Sequence, residues 1–489
     1  MLARVVAVVA ILAATFGPTS AAWAQDQHQG LQAGWAIDDK GNVNFTSSFS
    51  LQNRFMHEAE ASWIRLNFRL GACYQDWVTR GCNGRTALET YDEVVDIALN
   101  NGFQILGLIG HEAWPGRQVD WNARNAEHTS GDGDNAYLRD VSDHAVMVLA
   151  THFKDRITTW EIWNEPNTWT EQDADGLPVG GSFIYPSGFA WMLTHAYEAI
   201  KLVQPNAVIV SGGLFGHDLG DPALLFARDI CPTGVASGAD YLCATYEMGL
   251  RHAGWQPGRY PFNRIGQHIY IDGGGPTSEE KMRFYLEDVR DAYLRYEGPD
   301  TSKTTDITEF GWSTAGMSQE TQADNLLIAY DTFRQVGYVG RAYWFHAQDV
   351  PEANLFYGLT DSSGKKKRAF EVYQDAAAYD VPEADNAPRP APPARAPAQT
   401  PRADRPGADR PIIEQRSADQ PGLDQSADAR STASHSGAAR PSAVQPNDGR
   451  QDADQPNAAR PNPDPPAVGR TVAAVAPQTI GETIVTELP

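Results

Sequence analysis

Cationic side chains are in short supply in this chain: 39 lysines and arginines stand against 62 aspartates and glutamates, for a formal charge of −23. Neutralising a phosphate backbone takes a basic surface, so nucleic acid is excluded as a partner, and an acidic polysaccharide is disfavoured as the main ligand. Cysteine is scarcer still, with four in 489 residues. They fall as two close pairs, Cys73/Cys82 and Cys231/Cys243, and neither pair has zinc-ligand spacing. Long apolar runs are missing too. The most apolar stretch, Val5 to Phe16, is too short to span a bilayer, and no later segment matches it, so no membrane span is expected. Aromatic residues stop altogether: no Trp, Phe or Tyr occurs beyond residue 381.

What is present divides the chain into three parts. Residues 1–24 read as a signal peptide, with Arg4 before the apolar run, a helix-breaking Gly17-Pro18, and the small-x-small site Ala22-Trp23-Ala24. The expected location is therefore secreted or periplasmic. In an exported chain an even cysteine count suggests two local disulfides, with buried free thiols as the alternative. Residues 382–489 are rich in Pro, Ala, Asp, Arg, Gln and Ser, with arginines at 430, 440, 450, 460 and 470 marking a decaying repeat. Such a segment buries too little apolar surface to offset its ordering entropy, so it reads as a disordered tail. An inert linker is its favoured role, with cell-wall association as the alternative.

Residues 25–381 fit one domain in which strands and helices alternate. Short apolar runs suited to strands buried on both faces occur at Leu31–Ile37, Ser62–Phe68, Phe103–Gly110, Ile157–Trp163, Val208–Gly213, Arg264–Ile271, Thr304–Phe310 and Arg341–His346. Helical spacing, as in Ala87, Tyr91, Val94, Val95, Ala98 and Leu99, predicts helices near 50–60, 86–101, 134–153, 185–204, 223–230, 276–296, 318–337 and 367–379. Eight such units predict a (β/α)8 TIM barrel with enlarged loops; an open doubly wound sheet is the alternative, but Gly34-Trp35-Ala36 is no phosphate-binding turn.

The chemistry is expected at the C-terminal ends of the strands. Trp160-Glu161-Ile162-Trp163-Asn164-Glu165-Pro166 delivers one carboxylate to the end of the fourth strand, and Thr308-Glu309-Phe310-Gly311-Trp312 delivers another near the end of the seventh. Two glutamates facing each other across a barrel mouth, ringed by tryptophan, are equipment for cleaving a glycosidic bond, one carboxyl protonating the leaving oxygen and the other attacking or activating water.

These two motifs together resemble clan A of the retaining (β/α)8 glycoside hydrolases, and among them the cellulase-like and family 39 enzymes; the likeness runs from about residue 31 to 380. The resemblance implies that Glu165 is the acid/base, Glu309 the nucleophile and Asn164 the partner of the sugar 2-hydroxyl. It implies further that Arg65 pairs with the nucleophile, that Tyr270 donates to it, and that Trp344 is the platform under the sugar ring, a buried core Trp being the alternative. His268, two residues before Tyr270, points to the same face because strand period is two. His111, with Glu112 and Trp114 at the end of the third strand, is expected to shape a subsite, and His346 to line the rim. Trp169 and Trp312 follow the glutamates into loops, as substrate contacts or as packing. The substrate would be an oligo- or polysaccharide with β-linkages, cleaved by double displacement with no cofactor and no metal. A retaining pair places its carboxyl groups roughly 5–5.5 Å apart, an inverting pair roughly 6.5–9.5 Å. A non-catalytic glycan-binding protein on a degenerate barrel, or a transglycosylase, are the alternatives.

Other signals carry less. His111-Glu112 lacks the second His of a zinc-protease helix, because Pro115 stands in its place. Asp132-Gly133-Asp134-Asn135 is short of calcium ligands and reads as a turn with an N-cap. Gly273-Gly274-Gly275 is a loop with no phosphate-binding Lys after it.

Overall fold

A computed structural model describes residues 29–32, 55–122, 132–169, 171–172, 178–216, 238–271 and 275–377. The predicted signal segment, the tail, the helix near 223–230 and Cys231 lie outside the described residues. Eight parallel strands form the barrel: β1 Gln29–Gln32, β2 Trp63–Asn67, β3 Gln104–Ile109, β4 Thr159–Ile162, β5 Val208–Ser211, β6 Ile265–Ile269, β7 Thr305–Phe310 and β8 Val339–Trp344. The ladder runs β5-β4-β3-β2-β1-β8-β7-β6. Single bridges Val210–Arg264 and Leu214–Gln267 join its two ends, β5 and β6, and all but close the barrel.

Helices fill the crossovers: α1 Ala87–Asn100, α2 Ala136–His152 (with a π turn at Ser142–Val146), α3 Pro186–Val203, α4 Ala239–Arg251, α5 Glu279–Glu297, α6 Gln319–Val336, and α7 Arg368–Ala377 after β8. Their ends carry the local chemistry that starts and stops a helix. Thr86 and Glu89 form a capping box on α1. Asn135 caps α2 by accepting from Leu138 N, so the Asp132–Asn135 run is a turn and cap. Ser318 caps α6, and Gly337, at φ 69°, terminates it. Among the described residues no helix is long and apolar enough to cross a membrane.

Two expectations need correcting. β1 begins at Gln29 and not at Leu31, because Gln29 and Gly30 already pair with Ala342 and Tyr343 of β8. A Cβ on Gly30 would fall 2.2 Å from the Tyr343 ring, so the glycine is what lets β1 lie against that side chain. Between β5 and β6 the sequence predicts one helix, near 223–230; helix α4, Ala239–Arg251, is described there in addition and was not expected. Ten of its thirteen residues are buried.

Strand alternation sorts the side chains into two layers. Outward residues pack against helices: Phe68 with Tyr91, Phe153 and Trp160, and Phe310 with Tyr330, Phe333 and Trp344. Inward residues fill the barrel, with Trp63, Leu106, Val210 and Tyr343 in one apolar layer. Beside it, near the strand starts, Asp306 binds Arg264 and Arg341, and the Arg341 guanidinium lies 3.9 Å from the Trp63 ring centroid. This packed base leaves the opposite, C-terminal end for polar side chains. A Cys73–Cys82 disulfide staples the loop that follows β2.

Candidate active site

Glu309 owes its direction to a bulge. Ile307 and Glu309 pair with Gln267 and His268, consecutive residues of β6, so β7 carries one residue more than its neighbour here. The same excess appears against β8, where Ala342 and Trp344 pair with Ile307 and Phe310. Simple alternation would send Glu309 outward beside the helices. The extra residue turns it inward and sends Phe310 into the outer core. Glu165 is aimed by a different device: Trp163 and Glu165 adopt φ of 75° and 42°, a region costly for residues with a Cβ. The turn is held by Trp163 Nε1 donating to Ser182 O at 2.7 Å and by Ser182 Oγ donating to Glu165 O at 2.8 Å.

The two carboxylates meet. One oxygen from each and Nδ1 of His268 all lie within 4.8 Å of one another. His268 Nδ1 is 2.8 Å from Glu165 Oε1 and 3.9 Å from Glu309 Oε2. Tyr270 donates to Glu309 Oε2 at 2.9 Å. Arg65, fully buried, spreads one guanidinium over four partners: Glu309, Gln32 at 3.0 Å, Asn164 Oδ1 at 2.8 Å and Glu161 at 2.5 Å. With its oxygen held by Arg65, the Asn164 amide keeps its NH2 to donate elsewhere.

Electrostatics set the protonation of the groups around the two carboxylates. Burial pushes the His268 imidazole down to about 4, with Arg65 adding to it and Glu309 opposing, so the ring is neutral near pH 7. Burial and the neighbouring Glu309 push the Tyr270 phenol well above its ordinary value, which keeps it a hydrogen-bond donor. Burial works against the charge on Arg65, but Glu161 and Glu309 outweigh it and the guanidinium stays charged. Glu165, His268 and Glu309 are also the one group among the described residues whose ligand atoms lie close enough together to hold a metal ion. A cation bound there would sit beside the Arg65 guanidinium, an unfavourable neighbour.

Two glycines after β5 make room for the site, Gly213 for His268 and Gly212 for the turn at Trp163. A Cβ on Gly213 would lie 2.1 Å from His268 Nε2 and 2.6 Å from Thr308 Oγ1, and one on Gly212 would lie 2.6 Å from Trp163 O. Gly213→Ala is therefore expected to push the imidazole away from Glu165 and to cut kcat on the order of 100-fold, the size of effect that a misplacement near 1 Å produces. Steady-state kinetics beside a melting curve will separate this from unfolding.

The remaining predicted residues divide. His111 ends β3 and packs its ring on Trp121 and Trp163, so it braces the Asn164–Glu165 turn. Glu112 accepts from Asn67 at 2.6 Å and lies 3.5 Å from Arg69, placing a polar cluster at the ends of β2 and β3. Trp344 does not reach the cavity, which corrects its expected place as a platform. It lies on the outward phase of β8, fully buried against Phe310 and Trp312, with Nε1 donating to Tyr357 O at 2.9 Å. The next residue, Phe345, is half-buried and faces Tyr270 and Tyr357, with ring centroids 6.2 and 5.5 Å away. Trp312 is core, with Nε1 donating to Ile271 O, and Trp169 is half-buried. His346 is buried, its ring pushed down to about 3 by burial and Lys367, and it does not line an open rim. Sequence reasoning missed Glu161 and Gln32 as partners of Arg65. The signal was there for Glu161, a charged residue between Trp160 and Ile162 on a strand whose other face packs on helices.

No family model matches the chain, and no curated protein sequence matches it. Solved structures do. A family 5, subfamily 18 glycoside hydrolase variant from Streptomyces cattleya, solved in complex with Manβ1-4GlcNAc, aligns at a TM-score of 0.50 and 14% identity, over 73% of this chain and 82% of that one. A family 39 glycoside hydrolase from the gut symbiont Bacteroides cellulosilyticus WH2 aligns at 0.43 and 17% identity, over 72% of this chain. The alignment spans 64% of that protein's length, less than two thirds of it. A family 1 β-glucosidase from Thermotoga maritima aligns at 0.46 and 13% identity, over 72% and 98%. At these identities the likeness is one of fold: the chain shares a (β/α)8 barrel with these glycoside hydrolases.

Proposed function

We propose that this chain is an exported retaining glycoside hydrolase that cleaves β-glycosidic bonds of an oligo- or polysaccharide. One observation carries the reading: an oxygen of Glu165 and an oxygen of Glu309 lie within 4.8 Å of each other, beside a neutral imidazole. That spacing leaves a sugar carbon in reach of both carboxylates, as double displacement requires.

In the first step Glu309, paired with Arg65 and oriented by Tyr270, attacks the anomeric carbon as the bond to the leaving oxygen breaks. Glu165 gives that oxygen its proton. The neutral His268 beside Glu165 adds no charge that would oppose the protonated acid. In the second step Glu165, now ionised, takes a proton from water, which attacks the same carbon and releases Glu309. The Asn164 NH2 supports the sugar 2-hydroxyl, where hydrogen bonding strengthens as positive charge develops. Phe345 is the aromatic surface offered to the sugar ring in the place expected for Trp344. The N-terminal segment and the Cys73–Cys82 disulfide support export.

Tyr270→Phe deletes a hydrogen bond to the attacking carboxylate, worth about 1.5–3 kcal/mol for a charged acceptor, and should lower kcat/KM roughly 10- to 100-fold. The reading itself is tested by incubating the protein with a panel of aryl β-glycosides and polysaccharides and following the anomeric proton of fresh product by NMR. Retained β-configuration supports it. An α-product, or binding of glycans with no turnover of any panel member, rejects it.

A further inference from the structure

We propose that Glu161, a third carboxylate outside the reacting pair, is a positioning residue that shares Arg65 with Glu309 and thereby keeps Glu309 nucleophilic. This deepens the glycosidase reading and rests on it. The Glu161 side chain is completely buried. One oxygen takes Arg65 Nε at 2.5 Å, and the other accepts from Gly213 N at 3.1 Å. Both ends are thus fixed, one by the guanidinium and one by the glycine that makes room for His268.

Charge counting gives the consequence. The groups facing Glu309 are Arg65 from β2, Glu161 from β4, Glu165 from the turn after β4, and His268 and Tyr270 from β6. With His268 neutral and Tyr270 un-ionised, Arg65 is the one cation in this group, and two carboxylates divide it. A carboxylate that held the guanidinium alone would be more strongly stabilised as an anion and slower to attack. Glu161 draws off part of that stabilisation while holding the guanidinium plane in place for both Glu309 and Asn164.

The test is the pH dependence of kcat/KM on an aryl glycoside that the wild type hydrolyses. Glu161→Gln keeps the shape and removes the charge. Its acid limb should move to lower pH by about one unit, a tenfold change in proton competition, with a lower kcat on the plateau. A second variant carries the opposite sign. Gln32 contacts Arg65 Nη1 from β1, and Gln32→Glu adds a carboxylate to the same guanidinium, so its acid limb should move to higher pH. Should Glu161→Gln fail to fold, Gln32→Glu decides alone. A lowered melting temperature with an acid limb unmoved from wild type would make Glu161 a purely structural ion-pair partner and overturn the proposal while leaving the glycosidase reading intact. A wild type that turns over no glycoside would remove both.

Discussion

Glu309→Ala is expected to reduce kcat/KM by a factor on the order of 10^5, because the account routes the whole reaction through a bond to that oxygen. The variant should fold. Deleting one member of a buried ion pair ordinarily costs about 3–5 kcal/mol, since it strands the other charge. Here Arg65 retains Glu161 at 2.5 Å, so the guanidinium stays neutralised and the loss should be smaller. A near-normal melting curve beside an inactive protein is therefore the expected pair of results. Azide, a small anion that fits the vacated volume, should restore turnover on activated aryl β-glycosides and yield the α-glycosyl azide. The inverted product follows from attack on the face that Glu309 occupies.

Glu165→Ala should behave differently, and the difference identifies its role. General acid catalysis contributes about 10^2- to 10^4-fold, and its share depends on how badly the leaving oxygen needs a proton. Natural glycans and alkyl glycosides should lose the full amount. A dinitrophenyl glycoside leaves without help, so its first step should be nearly unaffected, and the glycosyl-enzyme should accumulate because no base remains to activate water. Pre-steady-state release of dinitrophenol would show a burst followed by a slow phase. Azide should speed that slow phase and give the β-glycosyl azide, the opposite anomer to that expected from Glu309→Ala. Equal losses on good and poor leaving groups would remove Glu165 from the acid/base role.

How far the sequence can be read follows from where each signal sits. Asn164-Glu165-Pro166 and Thr308-Glu309-Phe310 announce themselves, because each sets a carboxylate at the C-terminal end of a strand, where a barrel carries its site. His268 and Tyr270 follow from the period of two on β6. The same rule, applied to β8, places Arg341 and Tyr343 inside and Trp344 outside, where it packs on Phe310; motif likeness pointed one residue short of the half-buried Phe345. Alternation fails on β7, since the extra residue between Ile307 and Phe310 is visible in the pairing of three strands and in no single one. Glu161 stands out as a charge between Trp160 and Ile162, but its partner lies 96 positions away on β2. Gly212 and Gly213 look like ordinary turn residues. Their need to be glycine comes from Trp163 and His268, which reach them only when the barrel closes.

The most direct test of the central claim is to trap the covalent intermediate. Activated 2-deoxy-2-fluoro-β-glycosides of the gluco, manno, galacto and xylo series withhold the sugar 2-hydroxyl and slow release of the sugar. Intact-mass and peptide analysis of protein incubated with them should show one sugar added, on the peptide that carries Glu309, for whichever series the protein accepts. A sugar ester on any other carboxylate, or hydrolysis that proceeds to an inverted product with no adduct, would contradict the account.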